Sequence, residues 1–370
     1  MSSRRDFLKK AAGLTAVGAM GGMPLSSLAA DGYYKIPLKK PLKVGFVYID
    51  PVGNIGWSYQ HELGRKYMDK TLAGQVESTF VENVPDARAE AVFRQLASTG
   101  HQLIFTTSFS YMNPTLKVAK EFPNVIFEQA TGFKTAPNMG NYNGRFYEAQ
   151  YLTGLVAGAM TKSNKIGFIL PFPIPEVYRV VDAFTIGLRE TNPHATVSTV
   201  WVNTWYDPSK EREAAQTLVA SGVDVIATHT DSPAPMQVAE SHGIWAIGQD
   251  SNQIKYGPKA QLTGVIDNWG PYYVETARRV MEGRWKPESF WGGLKSGVVE
   301  LGPLNPAIPK DVVALVEKRK AEIEAGSFNI FTGPLHDQSG ALKVPAGKSL
   351  SDGELLGLQW FVQGVEGKAS

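Results

Sequence analysis

Apolar residues run from Val44 to Ile49 and give way at Asp50-Pro51-Val52-Gly53-Asn54 to a turn, after which Ser58 to Lys70 has the mixed polarity of a helix covering a sheet. An apolar run of this length between turn residues predicts a buried parallel strand. The order of strand, polar turn and helix recurs at Val76–Val81 with Ala87–Ser98, and at Gln102–Thr107 with Pro114–Phe122, before a fourth strand at Val125–Gln129. A helix from Arg145 to Met160 then leads into a second series of strands at Lys165–Leu170, Val197–Val202, Val223–Thr228 and Ile244–Gly248. Two consecutive runs of β-α units predict an α/β protein with two doubly wound, Rossmann-like lobes joined by a hinge, the crossover falling near Asn141 to Gly144.

The first lobe is expected to take residues 42–143 plus about 267–285, and the second 144–266 plus about 290–330. The return to the first lobe begins at the strand Leu262 to Ile266 or just after it, and continues into a helix from Tyr272 to Glu282. Residues 331–370 read as a segment packing on the body, with a hairpin-like turn at Asp337-Gln338-Ser339-Gly340 and an apolar stretch from Gly357 to Val365 that docks back.

Open parallel sheets place ligands at the carboxyl ends of their strands, so the polar turns mark the candidate site. Asp50, Asn54 and Trp57 end the first strand, and Ser108 and Phe109 end the third. In the second series Trp205 precedes a helix opening at Pro208, while Asp231 and Asp250 sit in Thr228-His229-Thr230-Asp231-Ser232 and Gly248-Gln249-Asp250-Ser251-Asn252. Asp267 follows a further strand close to the hinge. Two indoles reaching one cleft sandwich a planar heterocycle, each stack contributing about 0.5–1.5 kcal/mol beyond buried area. Asp231 and Asp250 then accept from ring N–H, exocyclic amine or ribose hydroxyl groups. The same residues have plainer readings: an indole in the core or over a lobe surface, Asn54 as a turn residue, Asp231 as a helix cap. Of six scattered histidines only His229 falls near the cleft, as a hydrogen-bonding residue rather than a general base.

Composition narrows the partners. The 37 Lys+Arg and 35 Asp+Glu nearly cancel, and no basic stripe interleaves with aromatics, which argues against nucleic acid and for a small neutral or zwitterionic ligand. Cysteine is absent, so there is no disulfide, thiolate metal site, cysteine nucleophile or lipidated N-terminal cysteine. No phosphate-cradling glycine loop, His-Glu-x-x-His, Gly-x-Ser-x-Gly elbow or calcium loop occurs, so no catalytic residue, metal or cofactor is assigned. At the amino terminus Arg4-Arg5 precedes the apolar segment Ala11 to Met23 and the small residues Ser27-Leu28-Ala29. This reads as a twin-arginine export signal, residues 1–30, cleaved after about Ala29 or Ala30, releasing a periplasmic protein without a lipid anchor.

The chain resembles the BMP/PnrA-like family of ABC-transporter substrate-binding proteins, which have the type I periplasmic-binding-protein fold and include purine nucleoside and nucleobase receptors. The likeness rests on Gly53-Asn54-Ile55-Gly56-Trp57-Ser58-Tyr59-Gln60, Arg145 to Gly154, Lys165 to Ile169, Gly248 to Gln253 and Trp360 to Val365. It implies that Trp57 and Trp205 stand where the family stacks its base, and that Asp250 matches an acid holding ribose hydroxyls in nucleoside receptors. Two departures favour a bare purine such as adenine over a nucleoside: Asp267-Asn268-Trp269 replaces the usual basic residue, and tryptophans replace the common phenylalanines. The reading is a monomeric, hinge-closing receptor that hands a purine to an inner-membrane ABC permease. An exported nucleoside hydrolase using the cleft acids, and a receptor for another solute such as a sugar, are the alternatives.

Overall fold

The computed structural model describes residues 27–28 and 32–369. The segment read as an export signal lies outside them except for Ser27–Leu28, which pairs antiparallel with Tyr34–Lys35. Strands β1 (Leu42–Val47), β2 (Val76–Val81), β3 (Leu103–Thr106), β4 (Ile126–Ala130) and β5 (Met139–Gly144) form a parallel sheet in the order 2-1-3-4-5. Helices α1 (Trp57–Thr71), α2 (Asp86–Ser98) and α3 (Met112–Glu121) cross between strands. The inner strands β3 and β4 are buried along their whole length, as a sheet covered on both faces requires, while the edge strand β2 is half exposed.

After α4 (Phe146–Met160) the second lobe repeats the plan. Its strands are β6 (Lys165–Leu170), β7 (Thr196–Trp201), β8 (Val225–Thr228), β9 (Trp245–Gly248) and β10 (Gln261–Asp267), ordered 7-6-8-9-10. Helices α5 (Pro175–Thr191), α6 (Pro208–Ala220) and α7 (Ala234–His242) connect β6 through β9. The two lobes therefore share one strand permutation, and each has its order reversal between the first and third strand of the series, where a doubly wound sheet opens a crevice.

The chain crosses between lobes three times: from β5 into α4, from β10 into α8 (Gly270–Met281), and from the strand Ser289–Gly292 to the strand Val299–Leu301. The strand at 261–267 thus belongs to the second sheet, and the return to the first lobe comes after it, where α8 packs on α1. Ser289–Gly292 pairs in parallel with β5, so the first sheet extends beyond the 267–285 segment expected for it. Val365–Glu366 adds a parallel strand beside β7, and the buried Asp182 carboxylate accepts from the Val362 amide at 2.8 Å to hold this tail. Among the described residues no helix is long and apolar enough to cross a membrane.

Candidate functional site

The carboxyl ends of the two sheets face each other and enclose a cavity with about 440 Å³ of empty space. The first lobe supplies Ile49, Trp57, Ser108, Phe109 and Thr131; Phe146 comes from the start of α4; the second lobe supplies Glu176, Trp205, His229, Asp231, Gln249 and Asp250. Its composition, aromatic walls with a few convergent polar groups, is that of a binding pocket.

Each indole is fixed from behind. Trp57 opens α1 and its Nε1 donates to the Thr107 carbonyl at 2.6 Å. Its ring meets His61 edge-on at 4.3 Å and Trp269 at 5.6 Å between centroids, and His61 in turn stacks on Trp269 at 5.1 Å. His61 Nδ1 bonds the Tyr273 hydroxyl, and burial pushes the imidazole far below its usual range, so it is neutral and acts as packing for Trp57. Trp205 is braced by Phe172 at 5.4 Å and by His229 at 6.4 Å, and its carbonyl accepts from the Asp231 amide at 3.0 Å. The two indoles thus reach one cavity from opposite lobes, both half-buried and both backed by aromatic rings.

The polar wall is acidic. The Asp231 and Asp250 carboxyls act on each other: burial raises both, and the Asp250 charge raises Asp231 further. Gln249 Nε2 donates to Asp250 Oδ1 at 2.5 Å, and Asp250 holds a left-handed backbone at φ +57°, a conformation uncommon for a residue with a side chain. Glu176, near the start of α5, lies 3.5 Å from His229 Nε2. Burial pushes its carboxyl up, but the contact with His229, the Arg179 charge and the Asn143 amide outweigh this and hold it below the ordinary range. His229 Nδ1 and Gln249 Oε1 have no hydrogen-bond partner among the described residues, so they remain able to address a ligand.

Three candidates from the sequence do not line the cavity. Asn54 is exposed at its mouth, where its Oδ1 accepts from the Tyr256 hydroxyl of the other lobe at 2.6 Å. Asp50 lies outside the lining; burial and the nearby Glu211 raise it to about 6. Asp267 is 1% exposed, and burial together with Asp250 and Glu176 raises its carboxyl, neither oxygen of which has a partner among the described residues. Conversely, Ile49, Thr131, Phe146, Glu176 and Gln249 line the cavity without having been singled out as ligand contacts, and His229, expected near the cleft as a hydrogen-bonding residue, lines it as well. A signal for Glu176 existed: it follows a strand end, with Pro175 opening the helix, in the same position as the turns that were read.

The lobes are closed on this cavity. Gly56 N–H donates to Ser251 Oγ at 3.0 Å, and Gln60 Nε2 donates to the Asp250 carbonyl at 2.9 Å and to Ser251 Oγ at 3.1 Å. With the Asn54–Tyr256 bond, these contacts link the turn after β1 and the start of α1 to the loop after β9.

Residues 42–327 match the family of PnrA-like ABC-transporter substrate-binding proteins. The chain belongs to that family. It is 47% identical over 331 residues to a purine-binding protein of Brucella abortus (strain 2308), covering 89% of this chain and 94% of that one. It is 36% identical over 328 residues to a Haloferax volcanii protein whose name describes glucose binding for an ABC transporter, covering 88% and 81%. A solute-binding protein of an ABC transporter system from Aeropyrum pernix K1 superposes with a TM-score of 0.69 at 19% identity, over 78% of this chain and 93% of that one, which establishes the shared fold.

Proposed function

We propose that this protein is the receptor of an ABC importer and captures a purine base between its lobes, delivering it to the permease without chemical change. The observation that carries the reading is the pair of braced indoles, Trp57 and Trp205, lining one cavity from opposite lobes beside the Asp231–Asp250 pair and Gln249. Such walls offer two π faces to a flat ring, while the polar groups address its edge. The relationship to the Brucella purine-binding protein supports the same ligand class. Stacking indoles and carboxylates also suit a pyranose, and the Haloferax relative gives that second reading its specific support.

Isothermal titration with adenine, hypoxanthine, guanine, adenosine and glucose tests both readings. A purine base is expected to bind, and glucose to give no heat; the reverse result overturns the proposal. Incubation with adenosine followed by chromatography is expected to release no base. Export by the twin-arginine route belongs to the same proposal: Arg4→Lys with Arg5→Lys is expected to leave an unprocessed precursor in the cytoplasm, and the mature protein to begin at about Ala30 or Asp31.

A further inference from the structure

Asp231 follows β8 and Asp250 follows β9, neighbouring strands, and both side chains reach the cavity wall while being 7% and 4% exposed as residues. The two carboxyls are near enough for each to act on the other's proton. Two ionised carboxyls carry only acceptors and repel, so side by side in a buried wall they are compatible only with a proton in the pair. The surroundings offer little to replace that proton. Asp50, from the end of the first lobe's β1, and Glu211, from α6, add negative charge toward Asp231; Glu176 does so toward Asp250, and Asp267 lies beside Asp250 in turn. His229 is the basic side chain acting on Asp250, and it is already drawn to Glu176.

We propose that Asp231 and Asp250 hold one proton between them and that this acid–carboxylate pair reads the polar edge of the bound purine, so that binding depends on keeping the proton. The inference rests on the purine reading of the cavity. With the ring bound, the Asp231 O–H turns from Asp250 to the ring-nitrogen acceptor, and the Asp250 carboxylate accepts from the adjoining N–H donor. Loss of the proton leaves two anions facing that ring nitrogen. Gln249 Nε2, which donates to Asp250 Oδ1, selects Asp250 as the more anionic partner and leaves Asp231 as the acid.

The sign of the pH dependence follows. The folded pair binds its proton more tightly than isolated carboxyls do, because burial and like charges raise both groups. Affinity is therefore full at low pH and falls as pH rises through the upper titration of the pair, about tenfold per pH unit for one proton. Asp231→Asn supplies a fixed amide donor in place of the titrating one, and Asp250→Asn does so from the other side, guarding against a variant that does not fold.

The test is adenine titration calorimetry from pH 5 to pH 9 on the mature protein and the two Asn variants, with melting temperatures of the ligand-free proteins over the same range. The proposal expects wild-type affinity and ligand-free stability to fall together with rising pH. It expects both curves to flatten in at least one Asn variant, which at pH 9 binds adenine tenfold or more tighter than wild type does. Variants that follow the wild-type pH profile in both measurements overturn it, as does a wild type whose two curves are flat. Stability curves that separate as expected while no purine binds at any pH reject the purine reading and uphold the shared proton.

Discussion

Replacing Gly56 by alanine separates the folding of each lobe from their closure. Gly56 caps α1 at φ +86° and ψ −174°, a region that residues with a Cβ enter at a cost of about 1–3 kcal/mol. That cost applies whether the lobes are open or closed, so it lowers melting temperature without ligand. The second effect appears only on closure: a Cβ built at this position meets the Asp231 carbonyl oxygen at 2.9 Å and the Asp231 Cβ at 3.1 Å, across the cleft. The Asp231 backbone has little room to retreat, since its amide is bonded to the Trp205 carbonyl at 3.0 Å. Overpacking at a well-filled contact costs about 1–3 kcal/mol, which corresponds to a Kd weakened roughly 5- to 150-fold. Calorimetric titration with adenine, paired with melting curves on ligand-free protein, reads the two effects apart. A variant that melts earlier yet binds within twofold of wild type would refute the claim that Gly56 is needed for closure over the ligand.

Trp57→Ala and Trp205→Ala each remove one stacking face and are expected to weaken purine binding by about 2 kcal/mol, roughly thirtyfold, measured by tryptophan fluorescence or calorimetry. Equal loss from both is the signature of a sandwich; loss from one alone assigns the other indole to packing. Tyr256→Phe deletes the bond to Asn54 at the rim and, at about 0.5–1.5 kcal/mol for a net hydrogen bond, should raise Kd two- to tenfold with little change in melting temperature. Glu128 is fully buried, accepts from Trp285 Nε1 at 2.7 Å and Tyr272 at 3.0 Å, and burial raises its carboxyl to about 7. Its proton is held more tightly in the folded state than in the unfolded one, so its contribution is greatest below the ordinary value of 4.5 and is lost as pH rises toward 7, on the order of 3 kcal/mol in total. Glu128→Gln should flatten that stretch of the stability curve, as read by denaturant unfolding between pH 4 and pH 8.

Much of this architecture was legible in the chain because parallel strands buried on both faces leave long apolar runs, and β1, β6 and β8 each do so between turn residues. Trp57, Trp205, Asp231 and Asp250 were legible for a related reason, since each sits in the first turn beyond a strand end, where the topology opens its crevice. The lobe assignment after residue 260 was harder. The crossing into α8 is made by two residues, Asn268 and Trp269, whose local conformation is that of any strand-to-helix turn. Asn54, Asp50 and Asp267 show the other limit: register along a turn decides whether a side chain faces the cavity, the rim or the strand behind it, and adjacent residues in a turn differ by more than their identity reveals. Glu176 and Phe146 open helices behind short links, the apolar Pro171-Phe172-Pro173-Ile174 and the single Arg145, and their approach to the cavity depends on the angle at which α5 and α4 start.

The duplicated strand order explains why the ligand and the hinge are coupled. Because both sheets run 2-1-3-4-5, both crevices open at corresponding strand ends, and closure brings Trp57 and Trp205 to one volume. Three short crossings restrict the lobes to a common axis, so a ligand that gains from both indoles must also bring Gly56 and Gln60 onto Ser251 and the Asp250 carbonyl. Those contacts join opposite lobes, so they exist only when the lobes approach. They therefore add to apparent affinity for any ligand that fills the cavity and give nothing to one that occupies a single lobe. Under the proposed function, discrimination among rings of similar shape falls to the polar groups that line the cavity, chiefly Asp231, Asp250, Gln249 and the Glu176–His229 pair, while the contacts between lobes set how tightly the closed form is held.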